Sequence, residues 1–324
     1  MNGAASGTSR RAFLGRAAGA AVTVAGAGVG AGAFASSAAA AAPKRSYTAG
    51  RFALDIDGVS CGRVAGVDGG YLEGDVALDP VGSDGIQRKH LAGVKYEDIT
   101  VQAGAAMTTS FYTWIKDAFD GKIERRSASI RSGDSSWNEK SNHRGSQAYV
   151  SSVTVPALDR RSKDPAFLAV SLSCAKVTPV PPSGQPIQTT KQKAWIPSNF
   201  VFEIDGVDTS RVASIDSFTW KCSVAADGSL VMDVSDIGVT FPHADLSSWQ
   251  QWYDNMISGA NDERDGALTL IGAQGGAVVT FQLSRGGMYK LYSVTGQPTP
   301  VGRLMKAEMY VESVSWDLAK GKGG

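Results

Sequence analysis

The sequence predicts a mainly β protein, built as two tandem small barrels or sandwiches with one flanking helix each. Three observations predict it. "FALDIDGVSCGRVAGVD" (52–68) lies over "FVFEIDGVDTSRVASID" (200–216) without a gap, 148 residues apart, and an ungapped register of that length marks a duplicated unit. Apolar residues alternate with period two through much of each copy. One helical stripe closed by a glycine follows at a matching place in each.

Residues 1–42 stand outside that fold. "SRRAFLG" (Ser9 to Gly15) precedes an Ala/Gly/Val-rich run that ends in small residues, which reads as a twin-arginine signal peptide. Such a signal exports its cargo folded, so an extracellular or cell-surface location is expected. Removing Arg10, Arg11 and Arg16 with that segment takes the formal net charge from +1 to −2. A chain so nearly neutral has no bulk attraction for nucleic acid or anionic lipid. Nucleic-acid binding is therefore not expected, and membrane contact is expected only through the signal if it stays uncleaved. Cys61, Cys174 and Cys222 cannot all pair and match no zinc spacing, so buried free thiols are expected, with one disulfide open after export.

In the first copy, taken as domain 47–177, Phe52, Leu54 and Ile56 alternate with Ala53, Asp55 and Asp57. That is a strand with one buried face, closed by an Asp-Gly turn. Phe200, Phe202 and Ile204 repeat it at the start of the second copy, domain 198–318. Phe111, Trp114, Ile115, Ala118 and Phe119 follow helical spacing, as do Trp249, Trp252, Tyr253, Met256 and Ile257; both stripes read as core packing against a sheet. Gly121 and Gly259 close these helices, and Thr109 and Ser247 stand where a cap is wanted. Further strands are expected near 125–133, 147–155 and 166–177, then near 266–272, 276–284, 287–296 and 306–318. Between the copies, 178–197 is rich in Pro and polar residues and reads as a linker; 319–324 reads as a flexible tail.

The helices correspond at an offset of 138 residues, whereas the opening strands correspond at 148. The first copy therefore carries ten extra residues, which fall in the loop "DPVGSDGIQRKHLAG" (79–93).

Catalytic groupings are missing from the pattern. His90, His143 and His243 sit in unrelated contexts, and no nucleophile elbow, zinc-protease motif or phosphate loop is present. Asp55-x-Asp57-Gly58 lacks the downstream oxygen donors of a calcium loop. No metal, cofactor or catalytic residue is assigned, and an enzyme is not expected.

"FALDIDGVSCGRVAGVDG", "RKHLAGVKYEDITVQAG" and "FYTWIKDAFDGKIERRSASI" in the first copy, with "WYDNMISG" and "AEMYVESVSWDL" in the second, resemble the tube proteins of contractile phage tails and related injection machines. The resemblance implies two tandem tail-tube-like domains. It further implies a non-enzymatic structural protein that associates with itself, or with other tube-like subunits, through sheet edges and loops. Family members join six to a ring, so three tandem chains would make a pseudo-hexamer. The long loop carries the assembly candidates Asp84, Gln87, Arg88, Lys89 and His90. Export and tandem duplication depart from the family's usual pattern. A second expectation is a secreted two-domain module that binds a cell-wall glycan or a protein, for which the aromatics outside the helical stripes, Tyr71, Trp137, Trp195 and Tyr292, are candidates.

Overall fold

The computed structural model describes residues 51–318 except 192, 226, 273–274 and 295–301; the expected signal (1–42) and tail (319–324) lie outside these. The first half opens with β1 (Phe52–Ile56) and β2 (Val59–Val64). Asp57 and Gly58 between them both adopt positive φ, the geometry of a tight primed turn, which suits the twist of the strands it joins. There follow β3 (Val67–Asp68), β4 (Leu72–Leu78), β5 (Lys89–Tyr96) and β6 (Ile99–Ala103). Helix α1 (Thr109–Phe119) precedes β7 (Arg126–Gly133), β8 (Glu139–Val155), β9 (Leu158–Asp159), β10 (Leu168–Ser173) and β11 (Lys176–Val180).

The second half runs β12 (Phe200–Ile204), β13 (Ser214–Ile215), β14 (Phe218–Val224), β15 (Leu230–Val234) and β16 (Ile237–Pro242). Helix α2 (Leu246–Ile257) then leads to β17 (Arg264–Ile271), β18 (Ala277–Ser293) and β19 (Leu304–Leu318). One sheet follows the order β2-β1-β7-β8-β10-β6-β3, with β11 and β14 also paired to β8; a second follows β12-β17-β18-β19-β16-β13-β9. The hairpin β4-β5 stands apart as a two-stranded sheet.

The halves repeat each other's register. Leu54 pairs with Ile130 and Phe202 with Leu268; Ile130 pairs with His143 and Leu268 with Phe281. β8 and β18 are each 17 residues long, and each bends at a non-glycine of positive φ, Gln147 and Arg285. Both helices end in the same cap. The N–H groups of Gly121 and Lys122 reach back to the carbonyls of Ala118 and Asp117, as those of Gly259 and Ala260 reach Met256 and Asn255. Glycine takes the left-handed residue of this motif without penalty. Beneath each cap a buried tryptophan indole donates to the backbone ten residues on, Trp114 to Glu124 at 2.9 Å and Trp252 to Asp262 at 2.8 Å.

Several local expectations need correction. The stretches 276–284 and 287–296 are not two strands: residues 277–293 are one, because pairing with β19 keeps its register from Ser284 to Gly286 while Arg285 bulges only against β17. Gly287 is required there, since a Cβ would collide with the Tyr310 ring lying across it. The return strand of the opening hairpin is missing from the second half. Asp208 accepts the backbone N–H (3.1 Å) and hydroxyl (2.6 Å) of Ser210, and this local turn competes with strand pairing. The N-caps lie one and two residues before the expected Thr109 and Ser247: Thr108 and Asp245 hold those positions, neither with a side-chain cap bond. Of the expected linker 178–197, residues 178–180 belong to β11, and two later points are fastened to the first half. Bridges join Pro186 to Asn138 and Trp195 to Ala166, and Ile187 is buried.

The helical stripes also differ from expectation. All of Phe111, Trp114, Ile115, Ala118 and Phe119 are buried on α1, whereas on α2 only Trp249 and Trp252 are, and Ile257 is 63 % exposed. The reason lies in what covers each helix. α1 packs on β8 and on β19 of the other half, while α2 packs on β18 of its own.

Candidate assembly surface

One junction between sheet edges is formed within the chain. β14 of the second half pairs antiparallel with the end of β8 in the first: Phe218 with Val155, Thr219 with Thr154, Trp220 with Val153 and Lys221 with Ser152. The hydroxyls of Thr154 and Thr219 meet at 2.9 Å, and Ser217 Oγ donates to the Val155 carbonyl at 2.9 Å. A second edge contact pairs β13 with β9, where Arg160 donates through its backbone to Ala213 (3.0 Å) and through Nε to Val212 (2.7 Å).

Aromatic packing closes the junction. Phe119 of α1 stacks on Trp220 with ring centroids 4.2 Å apart, and Trp316 of β19 lies 5.7 Å from Phe119 and 6.2 Å from Tyr112. All four are buried. Burying a large apolar side chain contributes about 1.5–3 kcal/mol, and stacked pairs add about 0.5–1.5 kcal/mol beyond that. The Tyr112 hydroxyl donates to the Gly104 carbonyl at 2.8 Å, and burial pushes its ionisation well above the usual phenol range.

The hairpin β4-β5 has the register of β14-β15 but no such partner. Leu72 pairs with Tyr96 as Trp220 pairs with Val234, and Glu73 with Lys95 as Lys221 with Asp233. Leu72 is 60 % exposed and Tyr71 68 %; Val76, Leu78, Leu91 and Val94 are exposed too. A two-stranded ribbon with open edges is marginal alone and a template for pairing with another chain, and a contiguous apolar patch marks an interaction surface. Lys95 lies 2.9 Å from Asp75 and 4.0 Å from Glu73, and its hydrogen bond to Asp75 raises its pKa.

The loop residues singled out in the sequence order the tip of this hairpin. Asp84 accepts from both Arg88 terminal nitrogens, at 2.7 and 3.3 Å, and from the Ile86 N–H at 3.1 Å. The Arg88 guanidinium is the main reason the Asp84 carboxyl is held below its ordinary value. The Gln87 amide donates to the Asp79 carbonyl. His90 Nδ1 lies 3.0 Å from the Asp79 carboxylate, and Lys89 opens β5 opposite Leu78.

The four aromatics do not converge. Tyr71 begins the bare hairpin. Trp137 is half-buried under the Arg63 guanidinium, 3.6 Å from its ring centroid. Trp195 is not an exposed aromatic: it is 4 % exposed, its indole donating to the Ala103 carbonyl at 3.2 Å. Tyr292, on β18, is half-buried and donates to Glu308 Oε1 at 2.7 Å. What sequence reasoning missed is the pair of positions that correspond to Trp220 and Phe119 in the other half, Leu72 and Ile257. Their signal was present in the double offset: 148 places Leu72 under Trp220, and 138 places Ile257 under Phe119.

Cys61, Cys174 and Cys222 are buried free thiols, and burial raises the pKa of each, that of Cys174 to about 11. Among the described residues no group of three or more His, Cys, Asp or Glu is placed to hold a metal ion, and no helix is long and apolar enough to cross a membrane.

Part of the chain is similar to known proteins. Residues 48–178 match the family model described as T4-like virus tail tube protein gp19. No curated protein matches the chain. Among solved structures, similarity is found to the PVC sheath-tube complex of an extracellular contractile injection system, at 20 % identity over 40 % of this chain and 88 % of that one, TM-score 0.33. The Hcp1 protein from E. coli EAEC 042 pathovar is similar at 16 % identity over 39 % and 94 %, TM-score 0.28. The anti-feeding prophage baseplate is similar at 10 % identity over 41 % and 100 %, TM-score 0.29.

Proposed function

We propose that this chain is a non-enzymatic structural subunit made of two tail-tube-like units in tandem, and that three chains join edge to edge into a six-unit ring. One observation carries the reading. The junction of β14 on β8 is complete inside the chain, while the hairpin in the same register in the other half, β4-β5, is bare. A unit that already binds its neighbour on one side and offers the matching edge on the other is built for head-to-tail association. The shared register of the halves supports duplication, and the family match over residues 48–178 supports the tube-like assignment of the first.

Light scattering on the full chain over a concentration series tests this. A three-chain species is the expected result; a monomer at all concentrations would overturn it. The rival reading, a secreted binding module, is weakened because Trp195 is buried and Trp137 is covered.

Export belongs to the proposal as well. Arg10 and Arg11 before the apolar run support the twin-arginine route and a final location outside the cytoplasm. Replacing both with lysine is expected to leave the chain in the cytoplasm; undiminished export would refute the assignment.

A further inference from the structure

The internal junction dictates which residues meet between chains. Its central contacts have counterpart pairs, one member on β4 or on Tyr71 just before it and the other on β18 or α2. Thr219 and Thr154 correspond to Tyr71 and Tyr292, Trp220 and Val153 to Leu72 and Leu291, and Lys221 and Ser152 to Glu73 and Lys290. The stacked pair Trp220 and Phe119 corresponds to Leu72 and Ile257, which are 60 % and 63 % exposed.

We infer that β4 of one chain docks on residues 290–293 of β18 in a second copy, with Tyr71 opposite Tyr292, Glu73 opposite Lys290, and Leu72 seated on Ile257. This rests on the ring reading and adds its partner edge and register. Three observations support the second copy as occupant. First, the receiving edge is open. β17 pairs with β18 only as far as Gly286, so among the described residues 287–293 carry a strand partner, β19, on one side alone. In the first half the same stretch of β8, past its last pairing with β7 at Ala148, is where β14 sits.

Second, the charges complement. Glu73 and Lys290 become direct cross-strand neighbours, a favourable pair, where like charges would be unfavourable. Lys290 now sits 3.2 Å from Glu308, within reach of both carboxylates at an occupied edge. Third, the two apolar side chains left uncovered at corresponding places, Leu72 and Ile257, cover each other. The contact is head-to-tail, since the two patches differ, so repetition of the internal angle between halves sets whether it closes.

The test is cross-linking in the full chain. Tyr71→Cys with Tyr292→Cys places the cysteines on directly opposed residues, with Cα atoms about 4.5–5.5 Å apart, inside disulfide range. Tyr71→Cys with Lys290→Cys places them on a diagonal about 7–8 Å apart, beyond that range. The native thiols are buried and do not compete. The expected result is oxidation of the first variant to dimers and trimers on a non-reducing gel, and little linkage in the second. A three-chain species in solution with no 71–292 linkage would overturn the register while leaving the ring intact; a monomer would overturn both. Because cysteine at either tyrosine can weaken the edge itself, a charge exchange gives an independent readout. Glu73→Lys and Lys290→Glu each weaken association several-fold, and the double exchange restores it. Failure of that rescue, with association unaffected by either single change, also overturns the register.

Discussion

The hairpins β14-β15 and β4-β5 share a backbone register and differ in what their side chains are asked to do. On the docked hairpin, Phe218, Trp220 and Cys222 point into the junction and are buried. The corresponding positions are Gly70, which precedes the bare hairpin at positive φ, and Leu72 and Gly74 within it, flanked by Glu73, Asp75 and Lys95. An edge that folds against its own chain can carry large aromatics, because it is never presented to solvent for long. On the exposed hairpin Leu72, Val76 and Leu78 are smaller and are interspersed with charges, which discourage indiscriminate strand pairing. The difference teaches that one backbone register can carry a docked hairpin and an exposed one; under the ring proposed above these are a permanent and a reversible version of the same contact.

Removing the anchor of the permanent version should have the largest effect. Trp220→Ala empties a fully packed site against Phe119 and should destabilise the chain by about 3–5 kcal/mol, read as a lowered urea midpoint. A loss within 0.5 kcal/mol would mean that the two halves are not held together by this junction. Next in size, Trp220 and Phe119 should be energetically coupled. A double-mutant cycle to leucine is expected to give about 1 kcal/mol of interaction, whereas Leu72 and Ile257 should show none in the isolated chain.

Leu72→Ala sharpens the comparison from the other side. Leu72 is exposed, so folding stability should change by less than about 0.5 kcal/mol. Association should nonetheless weaken, measured as a shift of the light-scattering curve to higher concentration. If stability falls as far as with Trp220→Ala, the hairpin is part of the core and not a waiting edge.

These contrasts were only partly legible in the sequence. The opening strands and the helix ends were, because alternation and a capping glycine are local signals: Phe52-Leu54-Ile56 and Gly121 act within a few residues of themselves. The pairing of Trp220 with Val153 was not, since strand pairing between distant segments leaves no local mark. Polar composition hid Trp195 and Ile187 within an apparent linker, where two apolar residues suffice to fasten the chain. Gly286-Gly287 looked like a break in a strand, when the first follows a bulge and the second makes room for Tyr310. The ten-residue excess of the first half was visible, yet its meaning needed the register that puts Leu72 where Trp220 stands.

The smallest expected effect concerns the tip of the bare hairpin and its dependence on pH. Arg88 holds the Asp84 carboxyl below its ordinary value of 3.8. A carboxyl depressed in the ordered tip contributes order that is fully present above that ordinary value, and loses it as pH falls through the lowered one. The residues are exposed, so salt should screen the effect. Amide exchange at Ile86, whose N–H bonds to Asp84, should therefore quicken relative to neighbouring amides once pH drops below about 4, and Asp84→Asn should abolish that dependence. The docked hairpin supplies the control. Its turn is tied by Asp227 to Ser229, through both N–H and hydroxyl, with no arginine in the bond, so salt should leave its exchange unchanged. Equal salt sensitivity at both tips would remove the distinction between an ion-paired tip that orders an unpartnered edge and a turn whose carboxylate meets only neutral donors, on an edge already docked.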